Sequence, residues 1–242
     1  MKNRDGVYII RFNKKILLGL LALIIFFTGL KMYFRTSKIF NPENLINIVL
    51  DPGHGGIDGG TGNVNDILEK EINLDVCLKL KKELLVEGYN IIMTREKDQS
   101  LEELSNINAS RYRRDLDARK TIINENQPLA FVSIHVNAST KTSARGVKIY
   151  HFPDSTEGKR LAENIKESVD EYLYKNYLKE DNLEAEVLTE NYYILRETKY
   201  PGVLIEIGFI TNPEENKLMK SKKYKEKIAY AIKKGIVSFS GK

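Results

Sequence analysis

Three histidines and a few well-placed carboxylates bound the chemistry open to this 242-residue chain. His54 sits in Leu50-Asp51-Pro52-Gly53-His54-Gly55-Gly56, directly after an apolar run, and six glycines fall between Gly53 and Gly62. Glycine at that density keeps side chains away and lets the backbone approach a bound group closely. His135 lies in Phe131-Val132-Ser133-Ile134-His135-Val136-Asn137. Strand alternation puts Phe131, Ser133 and His135 on one face and Val132, Ile134 and Val136 on the other. If the two strands run parallel, both histidines project from the same edge of one sheet. His151 precedes Phe152-Pro153 and reads as a structural or exposed residue.

A hydrolytic zinc site uses three protein ligands, commonly two histidines and a carboxylate, with a fourth position open for water. Glu69 and Glu71 compete for the third place beside His54 and His135. Two residues apart on a helix, they stand about 200° from each other, so only one can face the metal. Asp51 and Asn137 are candidates to orient the ligands. Glu206 lies within Pro201-Gly202-Val203-Leu204-Ile205-Glu206-Ile207-Gly208-Phe209, a carboxylate in an apolar strand. A charge there must reach a partner or a metal, or its pKa must rise. Either outcome fits a general base beside a metal. The bland alternative is a salt bridge to Arg196.

The elements that must hold these residues alternate. Strands are expected at Ile46–Leu50, Asn90–Thr94, Ala130–Val136, Val147–His151, Tyr192–Leu195 and Val203–Ile207. Helices are expected at Glu69–Glu87, Arg111–Asn124, Glu157–Tyr177 and Ser221–Phe239, with a helical turn opening at Asn212-Pro213-Glu214 and Gly88 closing the first helix. The order predicts an α/β fold: a mostly parallel twisted sheet of about six strands with helices on both faces. Neither the dinucleotide G-x-G-x-x-G order nor a phosphate-loop Gly-Lys-Ser/Thr is present.

Charge excludes a polyanion binder. The chain carries a formal +5, but residues 1–38 alone hold +7, which leaves the other 204 residues near −2. Ile16 to Leu30 is apolar and uncharged behind Arg11, Lys14 and Lys15. Extended past Lys31 to Phe34, it predicts one N-terminal transmembrane helix, uncleaved, with the bulk of the chain on the extracytoplasmic side. The expected division is a cytoplasmic basic tip and anchor over 1–38, a linker over 39–45 and a catalytic domain over 46–242. Cys77 is the only cysteine, expected to be a buried structural thiol.

These blocks carry a resemblance. Leu50 to Gly56, Leu68-Glu69-Lys70-Glu71-Ile72-Asn73-Leu74, Met93-Thr94-Arg95, Ser133 to Ala138 and Pro201 to Pro213 look like the zinc-dependent N-acetylmuramoyl-L-alanine amidases, over about residues 46–239. The resemblance implies that His54, Glu69 and His135 bind Zn2+, which selects Glu69 over Glu71, and that Glu206 is catalytic. Arg196, in Ile194-Leu195-Arg196-Glu197-Thr198, stands where the family keeps an arginine near the site. Within the family the chain is most similar to germination-specific, spore-cortex amidases, which also carry a basic polar segment like Ser110–Arg119. The implied substrate is a peptidoglycan glycan strand with its stem peptide, cut between N-acetylmuramic acid and L-alanine in cortex maturation toward muramic lactam. A muramic-acid deacetylase in the same pathway and an accessory envelope lipoprotein are the implied partners, besides the membrane; nucleic acid is not. The implied location is the cell envelope or the forespore intermembrane space. The glycine loop then reads as clearing space for a glycan. The competing readings are a vegetative wall amidase, another zinc peptidoglycan hydrolase such as a deacetylase, and a non-catalytic wall-binding scaffold.

Overall fold

Apolar runs that end in polar loops become four neighbouring parallel strands, and the loops collect at one sheet edge. A computed structural model describes residues 14–37, 45–62 and 66–242. It divides at Leu45 into residues 1–45 and 46–242. The second unit holds strands β1 (Asn47–Pro52), β2 (Asn90–Met93), β3 (Ala130–Asn137), β4 (Lys148–His151), β5 (Glu186–Thr189) and β6 (Gly202–Phe209). Its helices are α2 (Glu69–Val86), α3 (Arg111–Glu125), α4 (Thr156–Ser168), α5 (Tyr193–Glu197), α6 (Pro213–Lys220) and α7 (Lys222–Ser240). The first unit holds α1 (Lys14–Ser37).

The expected transmembrane helix is not supported: among the described residues no helix is long and apolar enough to cross a membrane. The uncharged run from Ile16 to Leu30 is 15 residues. At 1.5 Å per residue that is about 22 Å, short of the ~30 Å hydrocarbon core, and Lys31 ends it. The basic tip before Lys14 and residues 39–44 of the linker lie outside the described residues.

The sheet is mixed, in the order β2-β1-β3-β6-β4-β5. β2, β1, β3 and β6 are mutually parallel, whereas β4 pairs antiparallel with β6 and parallel with β5. This corrects the mostly parallel expectation, and the connections explain it. Ten residues with no helix separate β3 from β4, fewer than a parallel crossover needs, so the chain turns straight back. α4 then carries a crossover to β5, and the short α5 turns the chain back into β6. Of Tyr192–Leu195, expected as a strand, Tyr192 precedes the single-turn α5 and the other three residues open it. The strand is instead Glu186–Thr189, a half-exposed edge with no apolar run to mark it. The helix expected over Glu157–Tyr177 is α-helical to Ser168 and π-helical from Val169 to Leu178. The wider turn sets both Leu173 and Tyr174 inward, and the Tyr174 hydroxyl accepts from Val147 N–H at 2.7 Å.

Helices cover both faces. One core joins Val132, Ile134 and Val136 to Ile72, Val76 and Leu80 of α2, Leu161 and Ile165 of α4 and Ile228 and Ile232 of α7. Cys77 is buried in it, as expected. The opposite core joins Val49, Phe131 and Leu204 to Ile123 of α3 and Ile194 and Leu195 of α5.

One buried ion pair ties the sheet to the site edge. Asp51 Oδ1 accepts from Thr94 Oγ1 at 2.6 Å and Arg119 Nη1 at 2.7 Å, and its Oδ2 from Ser133 Oγ at 2.7 Å. Burial opposes the Asp51 charge, but Arg119 and the two hydroxyls outweigh it and hold the carboxyl below the usual carboxylate range. A group with a depressed folded pKa stabilises above its unfolded value and loses that contribution as pH falls through the folded one. Asp51→Ala is therefore expected to cost about 3 kcal/mol at pH 7. The gap from wild type should shrink as pH drops below about 4. Chemical denaturation across pH checks both.

Candidate metal centre and cleft

Parallel pairing of β1 with β3 brings the loop after Pro52 beside the end of β3, with Asp51 opposite Ser133 in register. His54 and His135 consequently stand with ring centroids 4.9 Å apart at 75°. His54 adopts a left-handed φ of 61°, an uncommon state for a residue with a side chain. Two buried arginines fix the backbone there. Arg119 donates to the carbonyls of Pro52 (2.8 Å) and His54 (2.7 Å), and Arg95 to those of Pro52 (3.0 Å) and Gly53 (2.9 Å).

The glycine loop makes room, though for these side chains rather than for a glycan. A Cβ on Gly53 would sit 2.2 Å from the His135 ring, and one on Gly60 would sit 2.6 Å from Glu69 Oε2. The loop returns to Glu69, the first residue of α2, which is 2% exposed. Glu69 Oε1 faces His54 Nε2 at 3.1 Å and His135 Nδ1 at 3.0 Å, and accepts from Val136 N–H at 3.0 Å and Asn73 Nδ2 at 3.3 Å. Its Oε2 accepts from Thr61 N–H at 2.8 Å. Glu71 points away, exposed, and takes the Leu68 N–H at 3.4 Å.

Ligand atoms of His54, Glu69 and His135 all lie within 4.8 Å of one another. Two imidazoles and one carboxylate make the donor set of a hydrolytic zinc site. Burial works against the Glu69 charge, but the hydrogen bonds to His135 and His54 outweigh it and keep the carboxyl far below the usual range. Burial likewise opposes a charge on His54, and Glu69 and Asp58 carry its pKa up to about 9. Asp58 Oδ2 holds the outer nitrogen, His54 Nδ1, at 2.8 Å, the outer-shell contact that sets tautomer and ring orientation in metal sites. The residues present thus fit a divalent cation in donor type, charge and support.

Glu206 is opposite His135 in register, after which β6 gains an extra residue at a bulge. Its Oε2 is buried without a hydrogen-bond partner. Burial, with the charge of Glu69 adding to it, pushes the carboxyl up to about 7 against the pull of His135 and His54. Glu206, His54 and His135 together line a cleft of about 480 Å³ between α3 and α5. Arg196 lines the same cleft from α5, but its Nε donates to Glu197 (2.8 Å) and its Nη1 to Asn191 Oδ1 (2.9 Å). The alternative salt bridge from Arg196 to Glu206 does not form among the described residues. Arg196 is thus a wall of the cleft, apart from the three converging ligand atoms.

Asp51 and Asn137 differ from expectation, and His151 does not. Asp51 touches no candidate ligand side chain and acts on the His54 carbonyl through Arg119. Asn137 Oδ1 accepts from its own neighbour, Ala138 N–H. His151 is buried with Nδ1 on the Phe152 carbonyl, consistent with a structural role. Asp58, Asn73, Arg95 and Arg119 had no individual role assigned from the sequence, although Asn73 and Arg95 lie in the blocks that carry the resemblance. Spacing signalled two of them, since Asp58 is four residues from His54 and Asn73 four from Glu69. Arg119 reaches across 65 residues of chain to His54, which no local pattern reveals.

Residues 48–238 match the N-acetylmuramoyl-L-alanine amidase family. The chain is 32% identical over 228 residues to the germination-specific N-acetylmuramoyl-L-alanine amidase of Bacillus subtilis, covering 92% of each. It is 33% identical over 209 residues to the amidase LytC of the same organism, covering 84% of this chain and 37% of that one. Among solved structures, the CwlD amidase of Clostridioides difficile in complex with the GerS lipoprotein matches with a TM-score of 0.72 at 37% identity, over 81% of this chain and 98% of that one. A family match over residues 48–238, with a relative 32% identical along 92% of both chains, means that this chain belongs to the N-acetylmuramoyl-L-alanine amidases.

Proposed function

We propose that this peptidoglycan amidase acts in spore-cortex maturation and depends on zinc held by His54, Glu69 and His135, with residues 46–242 as its catalytic unit. The observation that carries the metal assignment is the convergence of three ligand atoms within 4.8 Å beside a buried, unpartnered carboxylate oxygen. Zinc, when bound, polarises a carbonyl and lowers the pKa of a water toward about 7. Glu206 Oε2 takes the proton of the attacking water and returns it to the nitrogen that leaves as the amine of L-alanine. Its unpartnered oxygen leaves it free for that exchange. Asp58 keeps the His54 ring in one orientation, and Glu69 holds its charge through four neighbours on one oxygen. Arg196 orients the substrate from the cleft wall.

The cortex role is supported by similarity along 92% of both chains to a germination-specific amidase, against 37% of LytC. The lipoprotein bound to the Clostridioides difficile relative supports an envelope lipoprotein as partner and an extracytoplasmic place of action. Cortex peptidoglycan incubated with the zinc-loaded protein is expected to release free stem peptides with an N-terminal L-alanine, read by mass. Acetate as product would assign a deacetylase instead, and no product a wall-binding scaffold. Cortex from a deletion strain is expected to lack muramic lactam. An unchanged cortex beside an altered vegetative wall would overturn the spore role.

A further inference from the structure

The cleft beyond Glu206 has charges of its own. Most acids that line it are already answered: Asp51 and Asp115 by Arg119 at 2.7 and 2.6 Å, and Asp58 by His54 at 2.8 Å. Arg113 differs. It lines the cleft from the first turn of α3, and among the described residues no carboxylate pairs with it. Its Cζ lies 3.8 Å from the centroid of the Tyr193 ring. Tyr193 is itself anchored, since its hydroxyl donates to Asp117 Oδ1 at 3.3 Å and so ties α5 to α3. A guanidinium stacked on an aromatic face keeps its N–H donors in its own plane, directed outward, in the fork that grips a carboxylate through two parallel hydrogen bonds. Arg196, whose Cζ stands 5.7 Å from the same ring, adds positive potential but is engaged with Glu197 and Asn191.

We infer that Arg113, held on the Tyr193 ring, is a specificity-determining residue that binds a carboxylate of the stem peptide on the leaving-group side of the cut. The inference rests on the amidase reading and deepens it. The bond cut joins a lactyl carbonyl to L-alanine, and the next stem residue is a γ-linked glutamate whose α-carboxylate is free in some walls and amidated in others. The carboxylate form matches Arg113, and the amide form offers it no charge.

The test uses two muropeptides that differ only at that group, with both turnover and calorimetric binding measured on the zinc-loaded protein. Wild type is expected to favour the free acid by about tenfold, carried by KM. Arg113→Gln should bring that ratio to about one, and Arg113→Lys should restore part of it. Equal handling of the two substrates by wild type, or a ratio that survives Arg113→Gln, would overturn the assignment. If wild type releases no peptide yet binds the free acid preferentially through Arg113, the amidase reading fails and the carboxylate site stands.

Discussion

Glu206→Gln is expected to lower kcat by about 10²–10⁴-fold while the zinc content stays at the wild-type level. The substitution keeps shape and removes only the ability to take a proton. β6 is buried on both sides of this position, so the side chain has one direction open, toward His135 and the cleft. Muropeptide turnover beside metal analysis checks the result, and wild-type turnover by the variant would overturn the role of Glu206. In the loaded enzyme the acid limb of kcat/KM is expected to report this carboxylate. It is expected at or below pH about 7, because a neighbouring cation favours the ionised form. The metal-free protein gives an independent reading. A carboxyl raised from 4.5 to about 7 makes the folded state less stable as pH rises through that window. Glu206→Gln escapes that cost, so at pH 8 the metal-free variant should be more stable than wild type by roughly 2–4 kcal/mol. The difference should vanish below about pH 4.

The residues at the site edge were legible because each ends or begins an element with a strong local signature. Val49, Val132 and Ile205 sit in β-branched apolar runs bounded by Pro, Gly and Asn, the pattern of buried strands, and α2 repeats Ile72, Val76, Leu80 and Leu84 at helical spacing. Sheet polarity was not legible in the same way. It depends on whether a connection can cross the sheet, and the loop from Ala138 to Val147 cannot, although its composition resembles any other loop. Tyr192–Leu195 shows the limit of short apolar runs, which fit a buried strand or one helical turn equally well. The glycines were legible as a need for space, but what fills that space, the His135 ring and the Glu69 carboxylate, comes from elsewhere in the chain. Likewise the left-handed His54 is held by Arg95 and Arg119, whose contacts exist only once β2 and α3 are in place.

Glu69→Ala is expected to weaken zinc binding by more than about 100-fold, the largest loss that an outer-shell partner alone causes, and to abolish hydrolysis. Glu71→Ala is expected to keep both. The two glutamates share a helix turn and a charge, so their difference is purely directional. Glu69 is 2% exposed and aims Oε1 between the two imidazoles, whereas Glu71 is exposed and reaches only the N–H of Leu68. Glu69→Gln separates charge from shape. It keeps one oxygen, for either the Val136 or the Thr61 N–H, sets an NH2 group against the other, and has no negative charge to favour a dication. Its affinity should fall between those of wild type and Glu69→Ala, with the thermal midpoint nearer wild type. Isothermal titration with zinc beside thermal melts of the metal-free variants measures both. Loss of zinc by Glu71→Ala with retention by Glu69→Ala would move the third ligand to the other carboxylate. It would also require α2 to turn by about 200°, carrying Ile72 and Val76 out of the core they fill.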